Sequence, residues 1–262
     1  MLSLERRGGR PLCIGHRGAA ALAPENTLDS FRAACAAGAD LIEFDVLRLD
    51  AGQLVVAHSD DLHEVSHGAA GGTVRDQTLA ALREVAPDLP TLGEALQFFL
   101  DEAPAVGVHV DLKDAVAAEA ALEALRAFGL VGRTLVSSFH LGAIRRLARL
   151  EPGLRTGISF PRDRLHISKR RGSAPLIRHG LGGLRPITPA FAHALLVRSG
   201  ASALVLHHSL LGARTVRRTH ARGVPVVGWT VDDPRDLVRL DDVGVNAIVV
   251  NNPSVFASTL QA

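Results

Sequence analysis

Two short stretches set charged groups inside otherwise apolar runs. In LIEFDV, Glu43 and Asp45 stand two apart, and in HVDLKD the same spacing separates Asp111 from Lys113. Alternate residues of a β-strand share a face, so each pair projects to one side of its strand. Three carboxylates gathered from two strands would repel one another unless a cation lay between them. Oxygen donors of this kind suit Mg2+ or Ca2+, with Mn2+ as a further option; zinc fits less well because carboxylates outnumber histidines in the shell. The alternative is that Glu43, Asp45 and Asp111 are unrelated rim charges, each paired with an arginine.

His16, in CIGHRG, and His58, in VVAHSDD, each follow an apolar run of strand length. Two imidazoles on either side of a bound ester could divide the work of general base and general acid near neutral pH. The chain has twelve histidines, and the place of these two at strand ends sets them apart from His63, His67, His140, His166 and His220. Arg17 and Lys113 would add positive charge beside the cation, a combination that favours a phosphate group. Their other reading is ion pairing with the same acids. Trp229, the only tryptophan, ends another apolar run, where it either walls a pocket or fills the core.

Something must carry these residues to one place. Apolar runs of strand length recur at 12–16, 41–46, 106–112, 134–139, 156–160, 203–207, 225–229 and 247–250. Helix-period segments lie between most of them, at 25–37, 92–103, 115–128, 141–150, 189–199, 211–222 and 234–243, closed by glycine or proline. Eight strands with interleaved helices predict a (β/α)8 TIM barrel, with an open doubly wound sheet as the alternative. In a barrel the carboxyl ends of all strands meet on one face, and His16, Glu43, Asp45, Asp111 and Lys113 all lie toward those ends. Two segments interrupt the rhythm. After the second strand a hairpin to 54–57 leads into a Gly-rich loop, so that 58–90 reads as a small insertion. The stretch 161–186 is long, irregular and rich in Arg and Lys.

Composition excludes some classes. At 262 residues and 47% hydrophobic, the chain is long enough for one large core and reads as a single barrel domain over 1–262. A formal net charge of +2 gives no basic field for nucleic acid. Cys13 and Cys35 are too few for a disulfide framework and read as reduced. The start MLSLERRGGRP has no apolar signal region, and no window suits a spanning helix. A cytoplasmic protein without stable membrane insertion is expected.

Taken in order, GHRG at 15–18, PENT at 24–27, EFDV at 43–46, the histidine and acids at 58–61, the acid and lysine at 111 and 113, and GWTVDDP at 228–234 resemble the glycerophosphodiester phosphodiesterases across nearly the whole chain. The resemblance implies a metal-dependent (β/α)8 barrel that hydrolyses glycerophosphodiesters to glycerol 3-phosphate and an alcohol. It implies His16 and His58 as acid and base, Glu43, Asp45 and Asp111 as ligands of one divalent cation, and Arg17 and Lys113 as phosphate contacts. It further implies that a substrate hydroxyl attacks first to give a cyclic phosphate, and that the insertion takes part in substrate choice. Asn26 and Thr27 are expected to cap the first helix and brace its loop, with Glu25 near the site. Three departures stand out: Ser59 replaces an acid, Asp111 stands where Glu is frequent, and VNNP replaces an ending like TDRP, so no catalytic weight falls on Asn251 or Asn252. Two other functions compete: lysophospholipase D-like cleavage of lysophospholipids, with the basic stretch 161–186 against an anionic surface, and a phosphodiester-binding barrel without turnover.

Overall fold

The computed structural model of the chain describes residues 1–161 and 180–260. Its first strand, β1 (Leu12–Gly15), is buried throughout, as expected for a parallel strand covered on both faces. It pairs in parallel with β2 (Leu41–Arg48) on one side and with the last strand, β9 (Ala247–Val250), on the other. Between them run β4 (Gly107–Leu112), β5 (Thr134–Ser138), β6 (Arg155–Phe160), β7 (Ala203–His207) and β8 (Val226–Trp229), each parallel to its neighbours. The eight-stranded circuit is closed by the β1–β2 pairing, which an open doubly wound sheet lacks. Leu12, Ile14, Leu41, Leu135, Val205, Val227 and Val249 form the core cluster of these strands, and Leu4 from the amino-terminal segment is buried with them.

The surrounding helices are α1 (Leu28–Ala36), α4 (Leu92–Asp101), α5 (Ala118–Ala127), α6 (Leu141–Leu150), α7 (Thr188–Ser199), α8 (Ala213–His220), α9 (Pro234–Asp242) and α10 (Pro253–Leu260). None of the described helices is long and apolar enough to cross a membrane. Phe31 of α1 packs on Phe44 of β2 at 5.3 Å between ring centroids and on Phe98 and Phe99 of α4, which ties the first two units together.

Helix α1 starts later than the residue pattern suggests. Thr27 is its N-cap: the hydroxyl accepts from the Ser30 backbone N–H, and the Ser30 hydroxyl takes the Thr27 N–H in return. That reciprocal cap leaves 16–26 to turn back over the end of β1. Helix α10 was not anticipated, although its start is written in the sequence: the Asn252 side chain accepts from the Ser254 N–H, Pro253 takes the first helical position, and Phe256 is fully buried.

The interruption after β2 is a folded unit. β3 (Leu54–Val56) lies antiparallel on the far end of β2, pairing Val46 with Val56 and Arg48 with Leu54. Two short helices follow, α2 (Leu62–Val65) and α3 (Leu79–Val85). Leu47, Leu49, Val55, Leu62, Val74 and Leu82 form a separate cluster beneath them. Helices this short carry too few turns for hydrophobic periodicity to be seen.

The turn after β1 depends on Gly18, at φ +86°, where a Cβ would lie 2.6 Å from the Ser30 backbone carbon. Only glycine satisfies both the left-handed conformation and the close approach. Gly18→Ala is expected to destabilise the fold by about 3 kcal/mol or more, read as a lower denaturant midpoint at unchanged slope.

Candidate active site

Strand register brings the acids together. β2 and β4 pair with Asp45 opposite Asp111 and Glu43 opposite His109, so side chains of matching parity stand side by side on one face. Glu43, Asp45 and Asp111 are all buried, and one oxygen of each lies within 4.8 Å of the others. They line a cavity of about 750 Å³ together with His16, Arg17, His58, Lys113 and Trp229. All eight site residues predicted from sequence therefore face one space.

The acids are clustered rather than unrelated, and two of the three, Asp45 and Asp111, are also paired with cations. Lys113, just beyond β4, turns its Nζ back into an ion pair with Asp45 and a 2.7 Å hydrogen bond to Asp111 Oδ2. Arg17 Nε lies 3.1 Å from Asp45 Oδ2 without the alignment of a hydrogen bond, while Nη1 donates to Glu25 Oε1 at 2.6 Å. The Arg17 backbone N–H donates to Glu43 Oε2 at 2.8 Å. Arg17 sits at φ +50° and Asn26 at φ +60°, two unfavourable conformations for non-glycine residues within one tight loop.

PENT divides its labour differently from expectation. Thr27 alone caps the helix, whereas the buried Asn26 clamps Asp45, donating from Nδ2 to Oδ2 at 3.0 Å and accepting the Asp45 N–H at 3.2 Å. Glu25 approaches the site through Arg17.

Burial would raise the Asp45 carboxyl, but Lys113 and then Arg17 outweigh it and hold Asp45 well below the usual carboxylate range. Glu43 goes the other way: burial first, then the Asp45 charge, push it well above. Among the described residues Glu43 has no arginine or lysine within ion-pair distance. The trio thus holds more carboxylate than its local positive charge can neutralise. Three clustered hard-oxygen donors with one under-compensated member fit a divalent cation such as Mg2+ or Ca2+. Lys113 is held above its ordinary value by Asp111 and Asp45, against the opposing effect of burial.

His16 stands one residue past β1, its backbone N–H on the Val250 carbonyl at 2.8 Å and its Nδ1 2.6 Å from Asn251 Oδ1. Burial, reinforced by Arg17, lowers its pKa to about 3. His58 stands two past β3, with Nδ1 3.9 Å from Glu64 Oε1 and without a hydrogen bond. Burial lowers its pKa as well. Trp229 meets Phe139 edge to face at 5.9 Å, and both rings wall the cavity.

Several contributors escaped sequence reasoning. Asn251 is one. Another is His109, whose Nε2 lies 2.9 Å from the Ser137 hydroxyl, which in turn donates to Asp111 Oδ1 at 2.6 Å. Its spacing two before Asp111 was the available signal. Ser59 and Asp60 also line the cavity, and Asp60 binds Arg75 Nε at 2.5 Å. Arg162, Arg164, Lys169, Arg170 and Arg171 of the basic stretch lie outside the described residues.

The sequence profile of the glycerophosphoryl diester phosphodiesterase family matches residues 16–255. A Mycobacterium tuberculosis protein named "Probable glycerophosphodiester phosphodiesterase 1" is 30% identical over 94% of this chain and 90% of its own length. The glycerophosphodiester phosphodiesterase of Caldanaerobacter subterraneus is 24% identical over 96% of this chain and 98% of its own. Among solved structures, an Oleispira antarctica phosphodiesterase in complex with the product sn-glycerol-3-phosphate superposes with TM-score 0.73 at 23% identity, covering 97% of this chain and 98% of that one. A glycerophosphodiester phosphodiesterase from Parabacteroides distasonis does so with TM-score 0.75 at 22% identity, covering 96% and 97%. These low-identity superpositions bear out the barrel, and the profile match carries the further step. The chain belongs to the glycerophosphoryl diester phosphodiesterase family, a family of phosphoric diester hydrolases.

Proposed function

We propose that this chain hydrolyses glycerophosphodiesters to glycerol 3-phosphate and an alcohol, with one divalent cation held by Glu43, Asp45 and Asp111 and with His16 and His58 as the acid and base. The observation that carries this reading is the carboxylate trio, within 4.8 Å, sharing one cavity with both imidazoles. The sn-glycerol-3-phosphate held by the Oleispira antarctica phosphodiesterase supports the glycerol phosphate half of the substrate. When bound, the cation supplies charge that offsets the build-up on the nonbridging phosphate oxygens and lowers the pKa of a nucleophile.

The chain's own groups do the rest. Arg17 and Lys113, already oriented by Asp45, Asp111 and Glu25, contact the phosphate and favour the more highly charged transition state. One imidazole takes the proton of the attacking glycerol hydroxyl and the other, protonated, gives its proton to the departing alcohol; water then opens the cyclic phosphate to glycerol 3-phosphate with the two roles reversed. Trp229, at the end of β8 and beside Phe139, walls the cavity and suits the apolar part of the ligand. We assign residues 1–262 to one barrel domain with 58–90 as its insertion, and place it in the cytoplasm, a setting consistent with the free thiols of Cys13 and Cys35.

Release of glycerol 3-phosphate from a panel of glycerophosphodiesters, with Mg2+, Ca2+ or Mn2+ supplied in turn, tests the proposal. Chelation is expected to reduce turnover to background, and one of the three ions to restore it. Turnover that survives exhaustive chelation would overturn the metal assignment. Binding of the substrate without turnover under any ion would favour a phosphodiester-binding barrel instead.

A further inference from the structure

Beside His16 the loop between β8 and α9 meets the end of β9, and the hydrogen bonds there admit only one arrangement of protons. Asp232 Oδ2 accepts from Asn251 Nδ2 at 2.9 Å, and Asp232 Oδ1 accepts from the Asn251 backbone N–H at 3.3 Å. A carboxylate has no proton to give, so the amide NH2 must face Asp232. The amide oxygen then faces the other way, onto His16 Nδ1 at 2.6 Å. An amide oxygen can only accept, so Nδ1 carries the hydrogen. In a neutral imidazole this leaves the lone pair on Nε2.

The backbone makes the arrangement rigid. The Asn251 carbonyl accepts from the Ala21 N–H at 3.1 Å, and His16 N–H is bound to the carbonyl of Val250, the neighbour of Asn251. His16 and Asn251 therefore sit on the paired ends of β1 and β9 and cannot drift apart without opening the barrel seam.

We propose that Asp232 and Asn251 form a positioning pair that fixes His16 as its Nδ1–H tautomer and so makes Nε2 its proton-accepting atom. The inference rests on the reading of His16 as one of the acid/base pair. The hydroxyl that forms the new P–O bond gives its proton to Nε2, the bond from phosphorus to the departing oxygen breaks, and that oxygen takes its proton from the other imidazole, His58. Neither Asp232 nor Asn251 touches the substrate. Their effect is to keep the basic nitrogen on the side of the ring left free by Asn251, where a carboxylate in place of the amide would also stabilise the charged ring.

The test is nitrogen-15 NMR of the histidine rings in the full-length, cation-free protein, followed by kinetics with the cation restored. Wild-type His16 is expected to show a protonated Nδ1 and an unprotonated Nε2. N251L removes the acceptor, so the Nε2–H form should dominate and kcat should fall about 10- to 100-fold, with KM changed by less than about twofold because uniform binding is untouched. N251D alone faces Asp232 with a second carboxylate and should also lose activity. The exchanged pair D232N/N251D keeps an acceptor at His16 and an amide–carboxylate contact, and should recover most of the kcat and the Nδ1–H tautomer. A wild-type ring protonated mainly at Nε2 would overturn the inference, as would N251L leaving tautomer or kcat unchanged. If N251L fails to fold, the exchanged pair decides, and recovery no better than N251D alone overturns it. Wild-type protein that cleaves no glycerophosphodiester would instead sink the functional reading, while the NMR measurement would still decide the tautomer.

Discussion

His16→Ala and His58→Ala are each expected to lower kcat for glycerophosphocholine by about 10²–10⁴-fold, the range spanned by positioned proton transfer, while Mn2+ binding measured by calorimetry persists. Both imidazoles line the cavity that holds the carboxylate trio, and neither belongs to the proposed cation shell, so truncation removes proton transfer and leaves the three ligands in place. Burial lowers the pKa of both rings, that of His16 to about 3. The ring that serves as the acid must carry its second proton before the departing alcohol can take it. Full activity in either variant removes that histidine from the mechanism, and loss of Mn2+ binding would make its role structural.

Lys113→Met has an opposite pair of consequences. Lys113 bridges Asp45 and Asp111 inside the barrel, and its removal leaves two buried carboxylates facing each other. The cation-free variant is expected to lose about 3–5 kcal/mol of stability, the usual cost of deleting one partner of a buried ion pair. Added Mg2+ or Mn2+ now meets an uncompensated negative site, so the rise in melting temperature on adding the ion exceeds that of wild type. Turnover nevertheless falls by about 10²–10³-fold, because a donor aimed at the developing phosphate charge is gone. Thermal scans with and without the ion, set beside initial rates, separate the two effects. Equal ion-induced shifts in variant and wild type would show that Lys113 does not share its carboxylates with the cation.

The parts of the site that were legible in sequence are those whose partners are set by strand periodicity. Glu43 with Asp45, and Asp111 with Lys113, share a face because they stand two apart, and the β2–β4 register then aligns them. Asn251 was illegible because its meaning depends on a pairing between chain ends 235 residues apart, which no local pattern encodes. Its neighbour Asn252 accepts from the Ser254 N–H at the start of α10, a helix too short to announce itself by period. An asparagine just before a helix reads as a cap because that is its commonest use there, whereas here the cap belongs to Thr27 and the Asn26 amide binds Asp45. The insertion was visible only as a break in rhythm, since helices of four and seven residues do not repeat often enough to display a face.

That insertion packs on the outer end of β2: Leu62, Val74 and Leu82 cluster with Leu47, Leu49 and Val55, apart from the larger clusters under the helices of the barrel. It also delivers Ser59, Asp60 and Arg75 to the mouth of the cavity. A module seated on a cluster apart from the main core can be exchanged, lengthened or redesigned without disturbing the foundations beneath it, provided His58 and the apolar seat at Leu47 and Leu49 are retained. On the proposed function, preference for one alcohol over another is then free to diversify in this module, while His16, Glu43, Asp45 and Asp111 stay anchored in the wall of the barrel.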